Sequence, residues 1–265
     1  MLDTSSSLKA LMLGLIEGAT EFLPISSTGH LIFFGNLIRF DEEYSQVFDI
    51  SIQSGALLAV VLFYRKDFVN IVTFRDRELF LSLTLAFLPI GVFGFLFGRF
   101  ILENLFDTFF VGLSFIVGAL LMLHVEFLHR KEKRRVNNVQ NISKNNAIKI
   151  GLVQTLALIP GFSRSGAAII GGMYFGLNRS TATNFSFLLA VPVILSATIY
   201  SVYLKFEEIN LENIQVFVIG FFASFLSAFL VIRFLISYLT KHSLLVFAVY
   251  RIFAGGLIIF FGNLA

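Results

Sequence analysis

The chain has 265 residues, 57% hydrophobic and 14% charged, with 34 Phe, no Trp, no Cys and a formal net charge of +3. A soluble domain would carry about 25% charged residues. The mean hydropathy of +0.84 makes the bilayer the main solvent and excludes a soluble enzyme, a nucleic-acid-binding module and a disordered chain. Without Cys there is no disulfide, thiolate metal site or Cys nucleophile.

Residues 1–7 lack a basic segment and the first apolar run contains Glu17 and Glu21, so no cleavable signal is expected. That run, residues 8–38, is broken by both carboxylates and by Pro24-Ile25-Ser26-Ser27-Thr28-Gly29-His30. It reads as two short helices joined by a turn, a re-entrant hairpin. Irregular backbone at membrane depth survives only inside protein or beside a wet cavity. Three spans follow at 47–64, 79–98 and 108–128, then a polar, Asn-rich linker at about 130–146. A second hairpin, residues 147–177, is broken by Pro160-Gly161-Phe162-Ser163-Arg164-Ser165-Gly166. Spans at 181–204, 214–238 and 243–262 complete the chain. Each is long enough, at about 1.5 Å per residue, to cross roughly 30 Å of hydrocarbon. The expected fold is an all-α polytopic membrane protein, a single membrane domain with six transmembrane helices and two re-entrant hairpins.

Loop charges orient this layout. Segments 65–78, 129–149 and 239–242 hold twelve Lys and Arg, whereas 40–46, 99–107 and 205–213 hold only Arg99 and Lys205. The positive-inside rule puts the first set in the cytoplasm and both termini outside.

The halves resemble each other. Gly14-Leu15-Ile16-Glu17 and Gly151-Leu152-Val153-Gln154 begin the two hairpins, and Gly29 and Gly166 follow fifteen positions later. Leu85-Ala86-Phe87-Leu88-Pro89 echoes Leu188-Leu189-Ala190-Val191-Pro192. Repeat 1 would run over about 1–129 and repeat 2 over about 147–265. Three crossings per half is odd, so the second copy lies inverted, an architecture that brings broken helices together near the midplane.

Ionisable groups inside membrane segments cost at least roughly 2.5–3.5 kcal/mol each, and the hairpins hold Glu17, Glu21, His30 and Arg164. Glu17 and Glu21 are one turn apart on a single helix face. Two carboxylates in a dry site ask for a divalent metal, a proton or Arg164; a neutral, hydrogen-bonded pair is the structural alternative. Ser26, Ser27 and Thr28 precede a helix and can cap it, and with the free amides they form an anion-binding concavity. Ser27 and His30 are three apart, close enough for His30 to act as a base toward Ser27. In the second hairpin Arg164, flanked by Ser163, Ser165 and Gly166, is suited to grip phosphate through its guanidinium fork. Alternatively it pairs with Glu17 or Glu21, and a salt bridge in the empty site is compatible with both. Asp49 and Gln53 could face the site. His124, Glu126 and His129 read as interfacial, and Arg251, deep in the last span, needs a partner or a wet cavity.

Glu17-x-x-x-Glu21, Pro24-x-Ser26-Ser27-Thr28-Gly29-His30 and Pro160-Gly161-Phe162-Ser163-Arg164-Ser165 resemble the signature motifs of undecaprenyl-pyrophosphate phosphatases of the bacitracin-resistance type. The likeness extends over the whole chain, including Asp49–Gln53 and Phe185-Ser186-Phe187-Leu188-Leu189-Ala190-Val191-Pro192. One departure is Ala168, where the family's second motif usually has Thr. The resemblance implies a bacterial inner-membrane enzyme that removes the terminal phosphate of undecaprenyl diphosphate and recycles the carrier lipid for the cell wall. It also implies a divalent cation, Mg²⁺ or Ca²⁺, at Glu17 and Glu21, and a site facing the periplasm. Catalytic roles then fall to Glu17, Glu21, Ser27, His30 and Arg164, and substrate binding to Ser26, Thr28, Ser163, Ser165 and Gly166. Ser27, His30 and an activated water all remain open as nucleophile. The partners are a polyprenyl diphosphate lipid and the bilayer, with no nucleic acid; a homodimer is compatible. The rival class is a polyprenyl-phosphate transporter using the same groove.

Overall fold

Uncharged runs of Leu, Phe, Ile and Ala leave the backbone no partner in hydrocarbon but itself, and the chain answers with helices. The computed structural model describes residues 4–40, 45–129, 135–204 and 214–262. In chain order the helices are α1 (Thr4–Glu21), α2 (Ser27–Leu37), α3 (Ser45–Phe63), α4 (Arg65–Val72), α5 (Arg77–Asn104) and α6 (Thr108–His129). They continue as α7 (Lys144–Gln154), α8 (Arg164–Tyr174), α9 (Arg179–Leu204), α10 (Ile214–Lys241) and α11 (Leu245–Gly262).

Each of the six expected spans is a helix. Four of them, in α5, α6, α9 and α10, are individually long and apolar enough to cross a bilayer. α3 reaches that standard only together with α4, which bends away from it by 83°, and α11 is a shorter apolar helix, Leu245–Phe261. The bend was not foreseen: residues 65–78 were expected to be a loop. Here the sequence turns from apolar to basic, so Arg65 and Lys66 stay exposed while Ile71 is buried and ties α4 down. Asp76 then caps α5, accepting the Leu79 amide at 3.0 Å.

Both broken stretches fold as helix–turn–helix units, α1–α2 and α7–α8, the second with a short 3₁₀ segment, Thr155–Leu158, before its tip. Each unit packs its first helix on a long helix of the other half: α1 on α10, and α7 on α5. Gly14 and Gly151 permit this. A Cβ at Gly14 would strike the Gly220 carbonyl, and one at Gly151 would strike the Ala86 carbonyl, so small residues let the backbones approach. The echo between Leu85–Pro89 and Leu188–Pro192, by contrast, does not follow the repeat. Pro89 lies within α5, the second long helix of its half, and Pro192 within α9, the first of its own.

The linker is also tighter than expected. Residues 130–134 lie outside the described residues, but from Val136 onward the chain is pinned. Val136 N–H donates to Gly176 O at 2.9 Å and Asn178 N–H to Val136 O at 3.1 Å. Ile142 is buried, and α7 begins at Lys144, capped by Ser143, rather than at 147.

Glu126 and His129 are buried rather than interfacial; His124 alone of the three is exposed. Glu126 pairs with Arg179 of α9 and accepts the Leu244 amide at 3.2 Å, so one carboxylate joins α6, α9 and the start of α11. The first half of α9 is the centre of the main core, with Phe185, Phe187, Leu188 and Leu189 buried. Outward-facing Phe95, Leu230 and Phe253 are exposed, as befits a surface that meets lipid.

Candidate active site

The two hairpin tips meet. Ser26 precedes α2 with φ 70° and ψ 100°, and Ser163 precedes α8 with φ 78° and ψ 114°. Positive φ is costly for a residue with a Cβ, yet both hairpins use it at the same place. Ser26 and Ser163 are 137 residues apart, the offset that also relates Gly14 to Gly151 and Gly29 to Gly166. By that offset Ser27 and Arg164 are counterparts, each the first residue of its second short helix.

Ser163 is well supported. Its Oγ accepts the Gly166 amide at 3.1 Å, and lies 3.1 Å from Ser165 Oγ. Ser165 Oγ donates to Leu23 O at 2.8 Å, so the second tip is stitched directly to the first. Ser26 differs: its side chain caps nothing, which leaves the first turn of α2 without a side-chain cap. The expected Ser/Thr capping is thus present in one hairpin and missing in the other.

Between the tips is a cavity of about 70 Å³ lined by Glu21, Ser26, Ser27, Thr28, Ala157, Pro160, Gly161, Ser163 and Arg164. It has room for several waters or one phosphate-sized group. The amino-terminal ends of α2 and α8 both border it, so two helix dipoles present their positive ends to one small space.

Three of the expected catalytic side chains form a continuous chain of bonds at this cavity. Ser27 Oγ donates to Glu21 Oε2 at 2.6 Å, and Arg164 Nη2 reaches Glu21 Oε1 at 3.0 Å. Arg164 is held from behind by Nη1 to Ser186 O at 3.0 Å and lies over the Phe22 ring. Its buried Nε–H has no hydrogen-bond partner among the described residues.

The other two stand apart from the cavity wall. Glu17 is fully buried, and among the described residues neither carboxylate oxygen has a hydrogen-bond partner. Glu21, Asp49 and Arg164 are the charges that face it. Asp49 is therefore near the acid cluster, whereas Gln53 is not among the residues lining the cavity. His30 does not face Ser27. Its Nδ1 lies 2.7 Å from Ser26 O and its Nε2 2.6 Å from Tyr250 Oη. Its two nitrogens are engaged elsewhere, and the Ser27 proton points at a carboxylate. Gly166 supplies an amide that Ser163 occupies. Ala168 is buried and does not line the cavity, so the hydroxyl missing there is not one the cavity wall would present.

Sequence reading missed what Arg251 does. It is fully buried on α11 and donates to five carbonyls. Nε reaches Phe115 O at 3.1 Å; Nη1 reaches Pro24 O at 3.3 Å and Phe162 O at 2.8 Å. Nη2 reaches Ser114 O at 3.0 Å and Gly161 O at 3.1 Å. One guanidinium thus satisfies turn carbonyls from both tips, backbone groups that need a partner when buried. Its position inside a span was the only signal available. Ser186 and Tyr250 gave none beyond their place in apolar helices.

A polytopic helical protein that sets a hydroxyl, a carboxylate and a guanidinium around a phosphate-sized cavity is, by class, a membrane enzyme of phosphoryl chemistry. The family described as Bacitracin resistance protein BacA matches residues 10–257, and the chain belongs to it. Relatives agree along nearly the whole length. An undecaprenyl-diphosphatase of Methylobacillus flagellatus is 46% identical, over 96% of this chain and 97% of the relative. That of Nitrosospira multiformis is 49% identical, over 92% and 91%. Undecaprenyl-diphosphatase 1 of Chromobacterium violaceum is 47% identical, over 94% of each chain. The transporter alternative finds no support in these relatives.

Proposed function

We infer that this protein hydrolyses undecaprenyl diphosphate to undecaprenyl phosphate and inorganic phosphate, returning the carrier lipid to cell-wall synthesis. The observation that carries this is the single cavity in which the starts of α2 and α8 bring Ser27, Glu21 and Arg164 together. Phosphoryl transfer asks a protein mainly for positioning and charge neutralisation, and these are what the tips supply.

The 2.6 Å bond from Ser27 to Glu21 supports Ser27 as nucleophile with Glu21 as its base. Ser27 Oγ attacks the terminal phosphorus and gives its proton to Glu21. The phosphoanhydride bond breaks, and undecaprenyl phosphate leaves with the bond's electron pair. Glu21 passes that proton to solvent as the lipid phosphate departs, then takes a proton from the attacking water and returns it to Ser27 Oγ as phosphate leaves the serine. Arg164 trades its bond to Glu21 for phosphate oxygens, with its unpartnered Nε–H available for the same purpose. The first-turn amides of α2 add donors for a charge that grows in the transition state.

The donor set also fits a divalent cation. Glu17 is a buried carboxylate with both oxygens unpartnered, one turn from Glu21, and two carboxylates with phosphate oxygens suit Mg²⁺ or Ca²⁺. Such an ion would neutralise diphosphate charge.

For topology we assign six crossings, two re-entrant hairpins and an inverted repeat in the bacterial inner membrane. The site then opens to the periplasm and both termini lie outside, on the strength of the charge asymmetry of the loops. The test is phosphate release from undecaprenyl diphosphate in detergent micelles with a divalent cation. Hydrolysis by the wild type and none by Ser27→Ala is the expected result. A wild type that binds the lipid without releasing phosphate overturns the reading.

A further inference from the structure

We propose that Tyr250 is a positioning residue for the phosphatase reaction, acting through His30 on the strained Ser26 and thereby on Ser27; this rests on the hydrolase reading above.

The proton positions follow from chemistry. Ser26 O can only accept, so His30 Nδ1, 2.7 Å away, carries the hydrogen. In a neutral ring Nε2 is then the acceptor, and the Tyr250 hydroxyl, 2.6 Å away, donates to it. Tyr250 is 220 residues from His30 in sequence, on α11. The two rings are parallel to within 6°, with centroids 5.7 Å apart, and Phe115 closes another side of the imidazole at 5.8 Å. The tautomer is thus locked from the far side of the cavity wall.

What it locks is a strained, uncapped point of the first hairpin. Ser26 holds φ 70° without a side-chain cap, whereas Ser163, its counterpart, is braced by its own hydroxyl. The Ser26 carbonyl is also a distant acceptor for the His30 amide, at 3.4 Å, so the Nδ1–H bond is the short one that fixes this peptide. Ser27 comes next, and its hydroxyl is aimed at Glu21. Released, Ser26 would relax toward negative φ and swing Ser27 off the carboxylate. His30 is therefore assigned to holding the turn, with neither nitrogen free for substrate.

Amide isosteres separate this from a His30 that acts on phosphate. Asn places its side-chain N–H₂ where Nδ1–H was; Gln places it near Nε2. In the detergent assay, His30→Asn should keep kcat within about tenfold of wild type, while His30→Ala and His30→Gln fall much further. Tyr250→Phe, which loses only a hydroxyl from a half-exposed ring, should lower kcat about fivefold to tenfold with KM unchanged. Nitrogen-15 spectra of His-labelled protein should show one Nδ1–H tautomer, with the Nε2 resonance shifted in Tyr250→Phe as its hydrogen bond is lost. Equal inactivity of folded His30→Asn and His30→Ala beside an active wild type would make His30 a catalytic base or nucleophile and overturn the proposal. So would a Tyr250→Phe with unchanged kcat and an unchanged Nε2 resonance. A wild type without phosphate release would instead remove the hydrolase reading itself.

Discussion

Arg164 Nη2 lies 3.0 Å from Glu21 Oε1, joining side chains 143 residues apart across the contact between the two hairpin tips. Both are nearly buried, with 10% and 11% of the side chain exposed. A pair so placed loses heavily if either partner is removed without a substitute. A phosphate entering the cavity is such a substitute for Arg164, and the Ser27 proton is one for Glu21.

Arg164→Ala should lower kcat/KM by about 10³-fold or more while the protein still elutes as a folded species in detergent. Arg164→Lys should recover little, because an ammonium cannot stay on Ser186 O while presenting a planar fork to phosphate. Phosphate release and size-exclusion profiles of both variants check this.

Rapid quenching with radiolabelled lipid diphosphate should trap phosphate on Ser27 in the wild type. Ser27→Ala should yield no labelled protein, and Glu21→Gln should slow its appearance by about 10²-fold or more, since general-base help is typically worth that much. Label appearing on His30 would transfer the nucleophile's role.

Ser26 and Ser163 share a strained φ but not a brace, so their glycine variants should part company. Ser26→Gly relieves strain with no hydrogen bond lost from its side chain and should stabilise by about 1 kcal/mol. Ser163→Gly forfeits the bonds to Gly166 and Ser165 and should be neutral or destabilising. Thermal unfolding in one detergent, variant against wild type, reads the difference.

Arg251→Met should destabilise by on the order of 3 kcal/mol, because turn carbonyls of Pro24, Gly161 and Phe162 lose a shared donor in a dry interior. Gly118→Ala gives an independent check, since its Cβ would collide with the Arg251 guanidinium. A cost of about 1–3 kcal/mol is expected. A thermal midpoint unchanged in both would mean the pin contributes little.

Much of the fold was legible because membrane helices obey local rules. The charge-free stretch at 79–98 and the run at 214–238, charged only at Arg233, had to become helices, and Pro24 and Pro160, each in a Ser- and Gly-bearing run, mark the two breaks. α4 escaped notice since eight residues of mixed polarity carry too little period to stand out. The buried Glu126 also escaped, because a charge near a helix end looks the same whether it meets water or, as here, Arg179.

The site divides in the same way. Glu21 and Arg164 were marked by the sequence, since ionisable groups at membrane depth are too costly to keep without a task, and Ser27 by its place in a hydroxyl-rich helix start. Helical spacing suggested His30 as a partner for Ser27. Three residues apart, His30 could have faced it, yet the left-handed Ser26 rotates the start of α2 so that the hydroxyl meets Glu21 and the imidazole meets Tyr250.

By itself the sequence determined the solvent, the helices, the two breaks and the residues worth the cost of burial, because each of these follows from neighbours within a few turns. Only the tertiary structure decided which acid the serine hydroxyl meets, that Arg251 bonds to carbonyls of both tips, and that Tyr250 reaches the histidine. The first joins residues six apart across a turn whose geometry the second hairpin helps to fix, the other two join segments 89 to 227 residues apart, and no local period encodes which of several polar groups will be nearest once the helices have packed.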